Sequence, residues 1–143
     1  MKALSFDTGK TSYQVNGGIV ISFDTGSRKF IQSFLETMDR IERKYAQNEE
    51  KRESVQNDGK ALFALLDETE QVVRAETDRL FGEGASEGIW PEDPLALCSG
   101  LPAWLNFYLA VLDELDASIV EQQKTGSDRM DKYLEKYQKY QRK

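Results

Sequence analysis

Residues 16–27 read Asn16-Gly17-Gly18-Ile19-Val20-Ile21-Ser22-Phe23-Asp24-Thr25-Gly26-Ser27, and within them the apolar period changes from that of a strand to that of a helix. Asn16, Gly17 and Gly18 accept positive φ, as a hairpin turn requires. Before them Leu4, Phe6, Tyr13 and Val15 largely alternate with polar residues; after them Ile19, Ile21 and Phe23 do the same. The spacing predicts a β-hairpin over about residues 3–23. Its second strand is the more apolar and β-branched, and so the one expected against the core. Asp24-Thr25-Gly26-Ser27 then breaks the strand and offers side-chain oxygens to cap a helix.

Beyond that cap Phe30, Phe34, Met38, Ile41 and Tyr45 recur at intervals of four, four, three and four, widened by Ile31 and Leu35. One apolar face results on a helix from about Ser27 to about Glu53. Asn57-Asp58-Gly59 marks a turn or cap, and Leu62, Leu65, Leu66, Thr69, Val72, Val73 and Leu80 form the face of a second helix ending near Phe81, with Gly82 as its C-cap. A short link implies an antiparallel helical hairpin.

Residues 82–102 hold all three prolines, four glycines and Trp90. Asp93-Pro94 has the form of a cap with proline at the first helical position, and Ser99 to Pro102 repeats it, predicting one short helix and then a long one. The long one carries Leu101, Trp104, Leu105, Tyr108, Leu109, Leu112, Leu115 and Ile119, the densest apolar face in the chain. Thr125-Gly126-Ser127-Asp128 reads as a break, followed by a terminal helix from Arg129 to about Gln141. The expected fold is α+β, mainly α: an N-terminal β-hairpin, a bundle of three main helices and a C-terminal helix. A length of 143 residues suits one domain, divided into hairpin 3–23, helical body 27–124 and a basic, Tyr-rich helix or tail 127–143.

No run of about 18 apolar residues occurs and the start lacks an apolar signal core, so a cytoplasmic location is expected. The net charge of −6 is uneven: from Arg129 onward six basic residues meet two acidic ones, giving +4, which leaves −10 on residues 1–128. The net acidity disfavours nucleic acid as a partner, the basic end reads as a solvated helix end or an interaction arm, and no membrane partner is expected.

The chemistry-bearing patterns mostly fail on spacing. Asp-Thr-Gly occurs at Asp7 and at Asp24, as in paired aspartic proteases, but both copies fall within one hairpin and are better read as turn and cap residues. Thr8-Gly9-Lys10-Thr11 resembles the end of a phosphate-binding loop, yet Leu4 stands where the motif needs glycine. The stretch from Gly82 to Gly88 follows a helix, so it is a connection and not a dinucleotide fingerprint, with Ser86 a candidate cap. The chain has no histidine, which removes histidine-based triads and zinc sites. Asp67 with Glu70 and Asp113 with Asp116 share helical faces but read as solvated surface. Cys98, the sole cysteine, reads as a small buried apolar residue. Neither enzyme activity, cofactor nor metal is expected.

The hairpin segment Asn16-Gly17-Gly18-Ile19-Val20-Ile21-Ser22-Phe23, its cap and helix, and Leu80-Phe81-Gly82-Glu83-Gly84-Ala85-Ser86-Glu87 together resemble small tail proteins of phages and prophages of Gram-positive bacteria, of the tail assembly chaperone type. The resemblance runs to about Ser118 through short, structural motifs. It implies a helical-bundle binding module in the bacterial host cytoplasm that keeps the coiled-coil-rich tape measure protein soluble during tail assembly. The alternatives are a structural component retained in the phage tail and, behind it, a small nucleic-acid-binding regulator. Candidate partner-binding residues are Trp90, Trp104, Tyr133, Tyr137 and Tyr140. The three tyrosines lie outside the resembling part, and tape measure binding and self-association both stay open for them.

Overall fold

The computed structural model describes residues 1–141, the side chains of Tyr133 and of residues 136–141 excepted. Its elements in chain order are β1 (Lys10–Gln14), β2 (Val20–Asp24), α1 (Arg28–Val55), α2 (Gly59–Phe81), α3 (Ala85–Ile89), β3 (Leu97–Cys98), β4 (Leu101–Pro102) and α4 (Ala103–Gln141). This is a mainly helical α+β architecture with an N-terminal antiparallel hairpin.

Asn16 and Gly17 take φ of 49° and 73°, and the turn closes through the Val15 N–H donating to the Ile19 carbonyl at 2.8 Å. Lys10 is thereby set opposite Asp24 and Tyr13 opposite Ile21. The register explains why the hairpin is shorter than its apolar pattern suggests. Asp24 already opens the turn into α1, so residues before Lys10 have no strand to face, and Leu4 and Phe6 stay exposed. Both Asp-Thr-Gly copies are turns: the Gly9 N–H donates to Asp7 Oδ1 and the Gly26 N–H to Asp24 Oδ1, each at 2.9 Å. Ser27 Oγ then accepts from the Phe30 N–H and caps α1.

The link from α1 to α2 returns the chain antiparallel, with Arg40 Nε donating to Glu76 Oε2 at 2.9 Å, Lys44 paired with Glu68, and Asn48 Nδ2 donating to Thr69 Oγ1 at 2.6 Å. Asp58 caps α2 through the Ala61 N–H. The core forms where β2, this helical pair and the first half of α4 meet. Ile21, Phe23, Phe34, Ile41, Val73, Trp104, Tyr108, Val111 and Leu115 are buried there. Phe23 stacks on Phe30 and Phe34 on Tyr108, with centroids 5.0 and 5.3 Å apart.

Three features of the connection and the C-terminal part depart from expectation. The short helix is α3, and Asp93-Pro94 is a turn in which Asp93 Oδ1 accepts from the Leu95 N–H at 2.9 Å. Ser99 and Gly100, at φ of 57° and 81°, turn the small β3–β4 hairpin, so Pro102 precedes α4 instead of starting it. The reason lies in backbone satisfaction at the start of α4. The Ala103 and Trp104 N–H groups donate to the Ala96 and Pro94 carbonyls at 2.8 and 2.9 Å, which replaces a side-chain cap. Cys98, on this exposed hairpin, is exposed and not buried.

The third departure is that residues 125–128 do not break the helix: α4 is continuous over 39 residues, a length of about 58 Å. Glycine in a helix costs about 1 kcal/mol relative to alanine, too little to end one unless a tertiary contact redirects the chain. Nothing lies within 4 Å of a Cβ placed on Gly126. Every described side chain from Ile119 onward is exposed. Among the described residues, no helix is long and apolar enough to cross a membrane.

Gly88 of α3 lies close against Ile19 of the hairpin. A Cβ there would lie 2.9 Å from the Ile19 Cβ, with the rest of that side chain in its path. Gly88→Ala is expected to destabilise by about 1–2 kcal/mol, overpacking outweighing the gain in helix propensity. Urea unfolding followed by circular dichroism checks this.

Candidate protein-binding cleft

Between the hairpin and α4 lies a cleft of about 500 Å³. Its walls come from elements far apart in sequence. β2 contributes Ile21 and Phe23, the end of α3 contributes Ile89 and Trp90, and α4 contributes Phe107 and Val111. Phe107 joins these walls: its ring meets Trp90 edge-on at 5.5 Å and Phe81 at 5.6 Å. Gln14 at the end of β1 and Asn16 in the hairpin turn, with Asn106 and Glu114 from α4, add polar groups to the lining.

Two hydrogen bonds hold the sides in place. The Tyr13 hydroxyl donates to Glu114 Oε1 at 3.2 Å and ties β1 to α4. Burial, reinforced by the Glu114 carboxylate, raises the Tyr13 pKa above the ordinary phenol value. Asn106 Nδ2 donates to the Cys98 carbonyl at 2.9 Å and fixes the β3–β4 hairpin against α4. Further along, Thr25 and Ser118 share a hydroxyl–hydroxyl bond of 2.6 Å, which seats the end of β2 on α4. The connection is braced from α2. Arg74 donates to the Ser86 carbonyl at 3.1 Å and to the Glu92 carbonyl at 2.6 Å, while Asp78 Oδ1 accepts from the Ser86 N–H at 2.7 Å. Ser86 is therefore the residue held and not a cap: the N-cap position of α3 is Gly84, and Ser86 Oγ is buried with no partner.

The lining contains three ionisable groups, Tyr13, Cys98 and Glu114, and none is basic. Such a cleft offers an apolar bed with hydrogen-bonding groups along its edge. It suits one or two large apolar side chains presented by another chain. Asp113 and Asp116, on either side of Glu114 on α4, are exposed to solvent. Among the described residues, no three acidic or cysteine side chains converge as ligands for a metal ion.

The residues expected from the sequence to bind a partner are dispersed. Trp104 is 1% exposed and packs in the core against Tyr45 and Tyr108, so it is not a surface contact. Trp90, at 6% exposure, is likewise buried, but one side of it forms a wall of the cleft. Trp90 is drawn inward because the connection folds back over α4 and places it beside Phe107, whereas Trp104 sits on the inward face of α4 itself, one turn from Tyr108. Tyr133, Tyr137 and Tyr140 fall on the distal part of α4, and their side chains lie outside the described residues. Sequence reasoning missed Tyr13, Phe107, Ala110 and Glu114 as cleft residues. The signal was a second stripe on α4, Ala103, Phe107, Ala110–Val111 and Glu114 at intervals of three and four, beside the denser stripe led by Trp104. Comparison with family models, with curated proteins and with solved structures finds no match for this chain.

Proposed function

We propose that this chain is a non-catalytic protein-binding module, of the tail assembly chaperone type, that holds an apolar helical segment of a phage tail protein in the cleft between the hairpin and α4. The tape measure protein, long and rich in coiled-coil helices, is the first partner to test. The observation that carries this reading is the cleft itself: about 500 Å³, walled by Ile21, Phe23, Trp90, Phe107 and Val111, with hydrogen-bonding groups at its edge. An amphipathic helix places apolar side chains at intervals of three and four, and such a bed receives them while the edge satisfies neighbouring polar groups. A single carboxylate, phenol and thiol in a chain without histidine make a poor set for proton transfer, which supports binding over catalysis.

Co-expression with a phage tape measure protein is expected to raise that protein's solubility and to give a complex on size exclusion. Ala110 is exposed and lines the cleft, so Ala110→Trp fills the bed from the solvent side without touching the core. Affinity for the partner should fall at least ~10-fold with little change in Tm. A chain that fails to co-purify at several salt concentrations, or an Ala110→Trp variant that binds as the parent does, overturns the proposal.

A further inference from the structure

We infer that the distal half of α4 pairs antiparallel with the same segment of a second copy of this chain, crossing at Gly126. From Ile119 to Gln141 the helix runs on for about 35 Å with every described side chain exposed, Ile119, Val120, Met130 and Leu134 among them. A helix extended into water without a packing partner is marginal, because most helical stability in proteins comes from a buried face. This arm therefore calls for a partner, and its charge pattern identifies one. Residues 113–121 carry Asp113, Glu114, Asp116 and Glu121 and no base, while Arg129 to the end carries +4.

The two charged stretches lie on either side of Gly126. Asp116 and Lys136 are each ten residues from it, and Asp113 and Lys139 are each thirteen. An antiparallel pair centred on Gly126 thus sets the acidic root of each arm beside the basic tip of the other. A parallel pair sets like charges together. The same centre aligns the arm's seven-residue spacing: Ile119, Gly126, Tyr133 and Tyr140 recur every seven residues, the repeat of a left-handed pair of helices. By position, Ile119 falls opposite Tyr133 of the second copy. Glycine at the crossing point, with open space where a Cβ would stand, permits close backbone approach and accounts for a residue that otherwise weakens the helix. The pairing is two-fold symmetric, so it closes at a dimer.

Sedimentation equilibrium on the full chain tests this without reference to any other partner. The expected result is a monomer–dimer equilibrium that weakens as salt is raised. Asp113→Lys with Asp116→Lys, or Lys136→Glu with Lys139→Glu, should each raise the dissociation constant about 10-fold, and the four changes together should restore it to within about 3-fold of the parent. A parent chain that stays monomeric at low salt overturns the inference. So does a dimer that neither pair of reversals weakens, or one that the combined variant, shown helical by circular dichroism, fails to recover.

Discussion

Replacing Trp104 with alanine should lower stability by about 3–5 kcal/mol, the range for truncating a large buried aromatic residue, and lower Tm by roughly 10–15 °C. Trp104 is among the largest fully buried side chains and lies where α1 and α4 meet. Its ring packs edge-on against Tyr45 of α1 at 5.7 Å and against Tyr108 one turn along α4 at 6.2 Å. Alanine leaves a void that rings anchored on two helices cannot collapse to fill. Because small domains are stable by only about 5–15 kcal/mol, the loss is a large share of the whole. Trp104→Phe separates volume from polarity. The indole Nε1 is buried without a hydrogen-bond partner, so phenylalanine gives up ring volume but also removes an unsatisfied donor, and should cost less than about 1.5 kcal/mol. Chemical denaturation of the two variants checks both figures. A Trp104→Ala protein that keeps its Tm but loses a partner would show the side chain to be a binding residue and not a core one.

That prediction turns on a distinction the sequence could not make. The stripe of Phe30, Phe34 and Ile41 was legible because a helix face repeats at a fixed interval, and the ends of α1 and α2 were legible because Ser27, Asp58 and Gly82 act locally, each on backbone groups within a few residues. The connection was not. Asp93-Pro94 and the segment from Ser99 to Pro102 serve equally as helix starts or as turns. The choice is made by the Pro94 and Ala96 carbonyls, which reach the first N–H groups of α4 only once the chain has folded back. The same return decides the fate of Trp90, an indole in a Pro- and Gly-rich stretch that looks like an exposed anchor until Phe107 is placed beside it. Trp104, on the densest apolar face of α4, read as core and as a partner contact alike, and it is core. Gly126 illustrates the opposite error: a local break signal is overridden when nothing nearby offers the chain another course. The cleft was hidden for a further reason. Its walls belong to β2, α3 and α4, and the second stripe on α4 accounts for only one of them.

Tyr108 should make the protein sensitive to alkali. Its ring is fully buried, and its hydroxyl shares a 2.8 Å hydrogen bond with that of Thr77 on α2, itself fully buried. Burial pushes the Tyr108 pKa up to about 12, the Thr77 bond working in the other direction and the Glu76 carboxylate adding to the rise. The neutral phenol is thus favoured by folding, while an unfolded tyrosine ionises near 10. The associated stability is fully present below pH ~10 and is lost as pH rises from there to about 12, by roughly 3 kcal/mol in all. Tyr108→Phe should flatten most of that alkaline slope, leaving the smaller part due to Tyr13 and Tyr45, which burial also raises. At neutral pH the outcomes for the two partners should differ. Thr77→Val strands the phenol in the core and should cost about 1–3 kcal/mol. Tyr108→Phe leaves a threonine that can turn its hydroxyl to the carbonyl one helical turn back, and should cost less. The double variant should be less destabilised than the sum of the single ones, since no orphaned hydroxyl remains. Urea unfolding across pH 7 to 12 reads all of these quantities. Strict additivity, or an alkaline slope that Tyr108→Phe leaves unchanged, would mean that the Thr77–Tyr108 bond does not couple α2 to α4.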